Sequence, residues 1–182
     1  MPPPNPAIRF RATLSRPAGK ARAAWTFVAL PRAASAELPS RGLVSVSGAL
    51  QGVPFQATLE PDGEGGHWLK VSRKLREAAG AEAGDEVTLE FAPMTDEPEA
   101  AVPPDLRKAL AKAPPKSRAA WSDITPLARR DWIQWITSAK LPGTRARRIG
   151  SACDMLAKGK RRPCCFDRSG MYSRGLKGPS AR

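Results

Sequence analysis

The residues able to do chemistry are few and scattered. His67 is the sole histidine, so any Ser-His-Asp or Cys-His arrangement would have to run through it. It follows Gly65-Gly66 and precedes Trp68, without the oriented partner a general base needs. It reads as a turn or edge residue. Cys153, Cys164 and Cys165, taken with His67, have the ligand types of a three-Cys, one-His zinc site. They lack the closely spaced cysteine pairs such sites use. Cys153 falls on an apolar helical stripe, where a thiol packs as a small hydrophobe. The adjacent Cys164 and Cys165 could be redox-active only if Arg161 and Arg162 stabilised their thiolates. Gly63, Gly65 and Gly66 lack the Lys-Ser/Thr and strand-to-helix context of a phosphate loop, and read as a hairpin turn. Trp121, Trp132 and Trp135 stand among arginines, as base-stacking platforms would. Trp132 and Trp135 nevertheless share a helical face with Ile136 and Ala139, which marks core. No catalytic site, metal or cofactor is expected.

The stretch Thr144-Arg145-Ala146-Arg147-Arg148, preceded by Lys140, holds more promise. With Thr144 as N-cap it opens a helix, where free backbone N–H groups and the helix dipole favour an anion. Arg145 lies one turn before Ile149, toward the apolar side. It is expected to be half-buried and paired with Asp131. Arg148 lies at the edge of that face, and Arg147 points to solvent near Lys158. Lys140, Thr144, Arg147 and Arg148 are therefore the candidate anion- or partner-binding residues. The bland alternative is a solvated basic face with one packing arginine.

Two kinds of element must position these residues. Up to about residue 96 the apolar residues alternate, as in half-buried strands: Ile8, Phe10, Ala12 and Leu14, then Trp25 and Phe27. Val44 and Val46 follow, then Val53, Phe55, Ala57 and Leu59, then Trp68 to Val71, then Val87, Leu89 and Phe91. Gln51-Gly52 reads as a tight hairpin turn, and Ser72 as the N-cap of a short helix stopped by Gly80. Six short strands separated by Gly and Pro predict a small barrel or curled sheet. Residues 93–104, rich in proline, form the connection, with an edge strand at Ala100–Val102. The period then changes. Leu106, Ala109, Leu110 and Ala113 form a helical stripe stopped by Pro114-Pro115. Thr125-Pro126 opens a second helix, and Thr144 a third that Gly159 stops. Beyond Lys160 the chain is basic and aperiodic.

Charge divides the same way. Residues 1–100 carry 11 Lys/Arg against 12 Asp/Glu, and residues 101–182 carry 19 against 5. Such asymmetry points to a polyanion or acidic partner. In 182 residues no apolar run is long enough to span a membrane, and MPPPNPAIRF has no charged-then-apolar leader. The expected location is cytoplasmic, with three reduced thiols.

Two stretches also carry a family resemblance. RGLVSVSGALQGVPFQATLEPDGEGGHWLKVSRKLREAAGAEAGDEVTLEF resembles a bacterial domain of unknown function that forms a small β-barrel. VPPDLRKALAKAP and WIQWITSAKLPGTRARRIGSACDMLAKGKR resemble the YdeI/OmpD-associated, or bacteriocin-protection, helical domain. The resemblance covers roughly residues 7–162. It implies a loose association with envelope and bacteriocin phenotypes, and no catalytic residues to carry over; a link to stress or bacteriocin protection is part of the expected function. The chain departs from the family pattern at Leu141-Pro142-Gly143, where polar residues are usual.

The expected fold is α+β: a barrel over residues 1–96, about three helices over 97–162, and a basic, partly disordered tail over 163–182. The expected function is binding through the basic helical face, to nucleic acid, an acidic protein or anionic lipid head groups. The alternative is a small ligand, or an enzyme site, at the barrel mouth.

Overall fold

The computed structural model describes residues 6–19, 23–164, 166–172 and 176–182. It divides into two compact units. One holds Met1–Thr95 and Asp167–Arg182, the other Asp96–Phe166.

The first unit is an antiparallel sheet of β1 (Ile8–Thr13), β2 (Thr26–Ala29), β3 (Val44–Leu50), β4 (Val53–Pro61), β5 (His67–Val71) and β6 (Glu86–Pro93). Their order across the sheet is β1-β6-β3-β4-β5-β2. The two edges meet just past β1. There Ser15 and Phe27 exchange a pair of backbone hydrogen bonds, at 2.8 and 2.9 Å, which nearly closes a barrel. Closure satisfies edge groups that an open sheet would leave bare. The interior is filled by Leu14, Val28, Val46, Leu50, Leu59, Leu69, Leu89 and Phe91. The barrel is thus packed with side chains.

Local chemistry sets the turns. Gln51 and Gly52 both have positive φ, 49° and 81°, as a two-residue hairpin requires. The Gln51 side-chain oxygen then accepts from Thr88 N–H at 2.9 Å. Gly48 pairs with Phe55 on one side and Phe91 on the other. A Cβ there would run into the Glu90 carbonyl and stand 2.5 Å from Phe91 Cα, so only glycine lets β3 and β6 approach. Two short helices complete the unit. The helix α1 (Arg32–Ala36) follows Pro31 without a period the sequence reveals. In α2 (Arg73–Ala78) the expected cap is present, with Ser72 Oγ accepting from Leu75 N–H.

The second unit has four helices where about three were expected: α3 (Pro104–Lys112), α4 (Pro115–Asp123), α5 (Pro126–Thr137) and α6 (Pro142–Ala157). The extra one, α4, begins at the second of two prolines expected to act as a stop. Proline ends the helix before it but is well suited to the first position of the next. Residues 100–102 carry no strand. All four helices have Pro in the first turn. Their shared core is Leu106, Leu110, Ile124, Ala128, Trp132, Ile136, Ile149, Ala152 and Leu156. The linker is tied to this unit through Arg129 on Glu99 and Arg130 on Glu97.

Gly48→Ala should lower stability by about 3 kcal/mol, the upper range for overpacking against backbone that cannot yield. Denaturant unfolding measures this. A loss below about 1 kcal/mol would mean that the β3–β6 approach is not tight.

Candidate anion-binding surface

The helix expected to start at Thr144 starts at Pro142, with Leu141 in the N-cap position and no side-chain cap. Thr144 is therefore inside the first turn, and its hydroxyl accepts a long hydrogen bond, 3.4 Å, from Arg147. The Leu-Pro-Gly departure explains the shift, because Pro142 is preorganised for the first helical position. Leu141 is left 66% exposed. Arg147 is exposed, as its place on the helix predicts, and Lys140 is exposed as well.

Arg148 has a different role from the one expected. It donates to the Trp135 carbonyl at 2.5 Å and to Ser138 Oγ at 3.0 Å, with its guanidinium 5.5 Å from the Trp135 ring centre. It closes the C-terminal end of α5 and is committed to structure. Arg145 pairs not with Asp131 but with Asp105 on α3, through two bonds of 2.6 and 3.0 Å. That hydrogen bonding holds the Asp105 carboxyl below its usual range and the Arg145 guanidinium above its own. Asp131, 2% exposed, instead accepts from Arg162 at 3.0 Å.

These are cases of a general division. Each of the nine arginines in residues 96–166 makes a hydrogen bond. Five reach carboxylates: Arg129, Arg130, Arg145, Arg161 and Arg162. Arg129 in addition reaches the Trp121 and Ile124 carbonyls at 2.9 and 2.7 Å. Arg118 caps α3 through the Ala111 and Ala113 carbonyls. Arg107, Arg147 and Arg148 use Val102, Thr144 and Trp135. Among the described residues the six lysines of the same unit, Lys108, Lys112, Lys116, Lys140, Lys158 and Lys160, form no ion pair with a carboxylate, and all are exposed. Lys108 and Lys112 are four apart on α3, on the face opposite Leu106 and Leu110. The charge run at 144–148 draws attention to arginines as binding groups and away from most of these lysines. Helical spacing is the signal in the sequence that marks them.

Trp132, Cys153 and His67 are buried. Trp132 is fully buried, donates to the Arg161 carbonyl at 3.1 Å, and packs edge-to-face on Trp135. Cys153 is buried in α6 and Cys164 is exposed; Cys165 lies outside the described residues. Burial, then the neighbouring Asp154, pushes the Cys153 thiol up, against nucleophilic use. No group of three His, Cys, Asp or Glu able to hold a metal occurs among the described residues. In the 62–66 turn Asp62 itself accepts from Glu64 and Gly66 N–H at 2.7 and 2.9 Å, filling the place an anion would take. His67 is buried, its backbone N–H bonded to Ser35 and its Nε2 3.0 Å from the Gly42 carbonyl. Burial lowers its pKa, partly offset by that carbonyl.

No helix among the described residues is long and apolar enough to cross a membrane. The fold is α+β, a packed near-closed barrel followed in the chain by helices, in two compact units. Residues 10–91 match the family model for a Domain of unknown function (DUF1905), and residues 99–159 the model for Bacteriocin-protection, YdeI or OmpD-Associated. The chain thus carries, in this order, a region similar to each of these two families, the first on the barrel and the second on the helices. No curated protein matches it.

Arg148→Ala should lower stability by about 2 kcal/mol, from the loss of a charged hydrogen bond and a cation–π interaction. Arg147→Ala should stay within about 0.5 kcal/mol. Equal effects in denaturant unfolding would contradict the division of roles.

Because folding lowers the His67 pKa, its contribution is intact above the ordinary imidazole range and declines as pH falls below it. Stability should therefore drop between about pH 7.5 and 5.5, by at most about 1.4 kcal/mol per pH unit. His67→Gln should flatten this slope. An unchanged slope would show that other groups set it.

Proposed function

We propose that the helical unit binds polyanions, with the nucleic-acid phosphate backbone as the reference ligand, through its lysine-rich surface. One observation carries this reading: five carboxylates of the unit are held by arginines, while the exposed lysines have no such counter-charge. Those carboxylates are Glu97, Glu99, Asp105, Asp123 and Asp131. Lysine is a compact charge that meets phosphate without fixed geometry, so binding is weak and not sequence-specific. The affinity is on the order of 1–100 μM at physiological salt. Among the described residues no exposed row of Asn, Gln and Arg lies along one helix, so the reading carries no base-edge recognition. The second reading, a ligand at the barrel mouth, has less support, since the barrel interior is filled with side chains.

The test is a titration of the full chain with duplex DNA, RNA and heparin at several salt concentrations. Affinity should fall steeply with salt through counterion release. A Lys108→Ala, Lys112→Ala, Lys116→Ala variant and a Lys140→Ala, Arg147→Ala variant should each weaken binding. Each should also flatten the salt slope by roughly one unit for every phosphate no longer neutralised. If both variants bind like the parent at low salt, the lysines are a solvated surface and the reading fails.

A further inference from the structure

Residues 176–182 lie on the outside of the barrel, with Gly178 over Trp68, an aromatic side chain that is not in its core. Phe27 and Trp68 point away from the interior, on the face opposite Val28 and Leu69. With Trp25 they form a cluster whose ring centres are 6.2 to 6.5 Å apart. Trp68 is only 9% exposed. Gly178 sits directly over it: a Cβ at Gly178 would stand 3.4 Å from Trp68 Cδ1 and 3.2 Å from Asp62 Cβ.

Main-chain groups hold the segment. Gly178 N–H donates to the Asp62 carbonyl at 2.9 Å, Ala18 N–H to the Ser180 carbonyl at 2.7 Å, and Arg182 N–H to the Arg16 carbonyl at 3.0 Å. Leu176 is held between two glycines. A Cβ at Gly63 would collide with its carbonyl oxygen, and one at Gly170 would stand 2.7 Å from its Cβ. The other side chains are small or exposed. Little buried apolar surface and a handful of edge hydrogen bonds place a segment at the low end of local stability.

We infer that residues 176–182 are a releasable strap, and that the slot they fill accepts the same segment from a second copy of this chain. Release takes Gly178 off Trp68, at one side of the Trp25–Phe27–Trp68 cluster, and exposed apolar surface of this kind attracts an occupant. The slot is tight at Gly178 against Asp62 Cβ, where a side chain would force its neighbour aside, and otherwise reads backbone. The strap of another copy meets both demands, in the manner of an exchanged element.

The experiment uses isotope-labelled full chain and an unlabelled synthetic peptide, LKGPSAR, at about 5 mM, above the millimolar effective concentration of a tethered segment. The Ala18 and Gly178 amide and Trp68 indole resonances should shift in a saturable way. A peptide with Gly178→Leu should leave them in place. Sedimentation should show mass rising with protein concentration and falling back when the native peptide is added. Absence of shifts, equal shifts with the leucine peptide, or a mass constant at all concentrations would overturn the inference.

Discussion

Short helices joined at sharp proline corners leave carbonyl groups bare at their C-terminal ends, and the helical unit depends on how those groups are satisfied. The last four carbonyls of a helix have no partner within it. Here α3, α4 and α5 end without the left-handed glycine that commonly closes a helix. Arginine takes its place: Arg118 for α3, Arg129 for α4 and Arg148 for α5. Only α6 ends differently, with Gly159 and Lys160 N–H turning back to the Leu156 and Met155 carbonyls, the glycine-based stop of a Schellman motif.

The guanidinium suits the task because its planar fork reaches carbonyls and a carboxylate at once. Arg129 does both, with Glu99 on one edge and carbonyls on the other. A lysine has three donors around one point and a strongly hydrated charge, so it gains little there. Lysine is accordingly left outside, at Lys108, Lys112, Lys116, Lys140, Lys158 and Lys160. The net positive charge of the unit is therefore two populations, one structural and one available.

Much of this is legible in the sequence, and the failures have physical causes. Alternation reveals the strands, and Gln51-Gly52 and Ser72 mark a turn and a cap because those conformations need those residues. The helix α4 escapes a reading of the sequence because Pro115 stands where one helix stops and another starts. Thr144 is a good cap residue, but two positions before it Pro142 fits the first helical position better and moves the start. The partner of Arg145 is ambiguous because Asp105 and Asp131 are both remote in sequence. Helical spacing says which face a residue occupies but not which neighbour it meets. Arg148 looks available because a carbonyl partner 13 residues away leaves no composition signal.

The division between arginine and lysine is tested most directly by thermal unfolding of the full chain with all six lysines changed together, Lys108→Gln, Lys112→Gln, Lys116→Gln, Lys140→Gln, Lys158→Gln and Lys160→Gln. The account predicts a cooperative transition within a few degrees of the parent, because none of these side chains closes a helix or pairs with a carboxylate. A helical unit that unfolds before the barrel in this variant would contradict it, since the lysines would then be part of the structure.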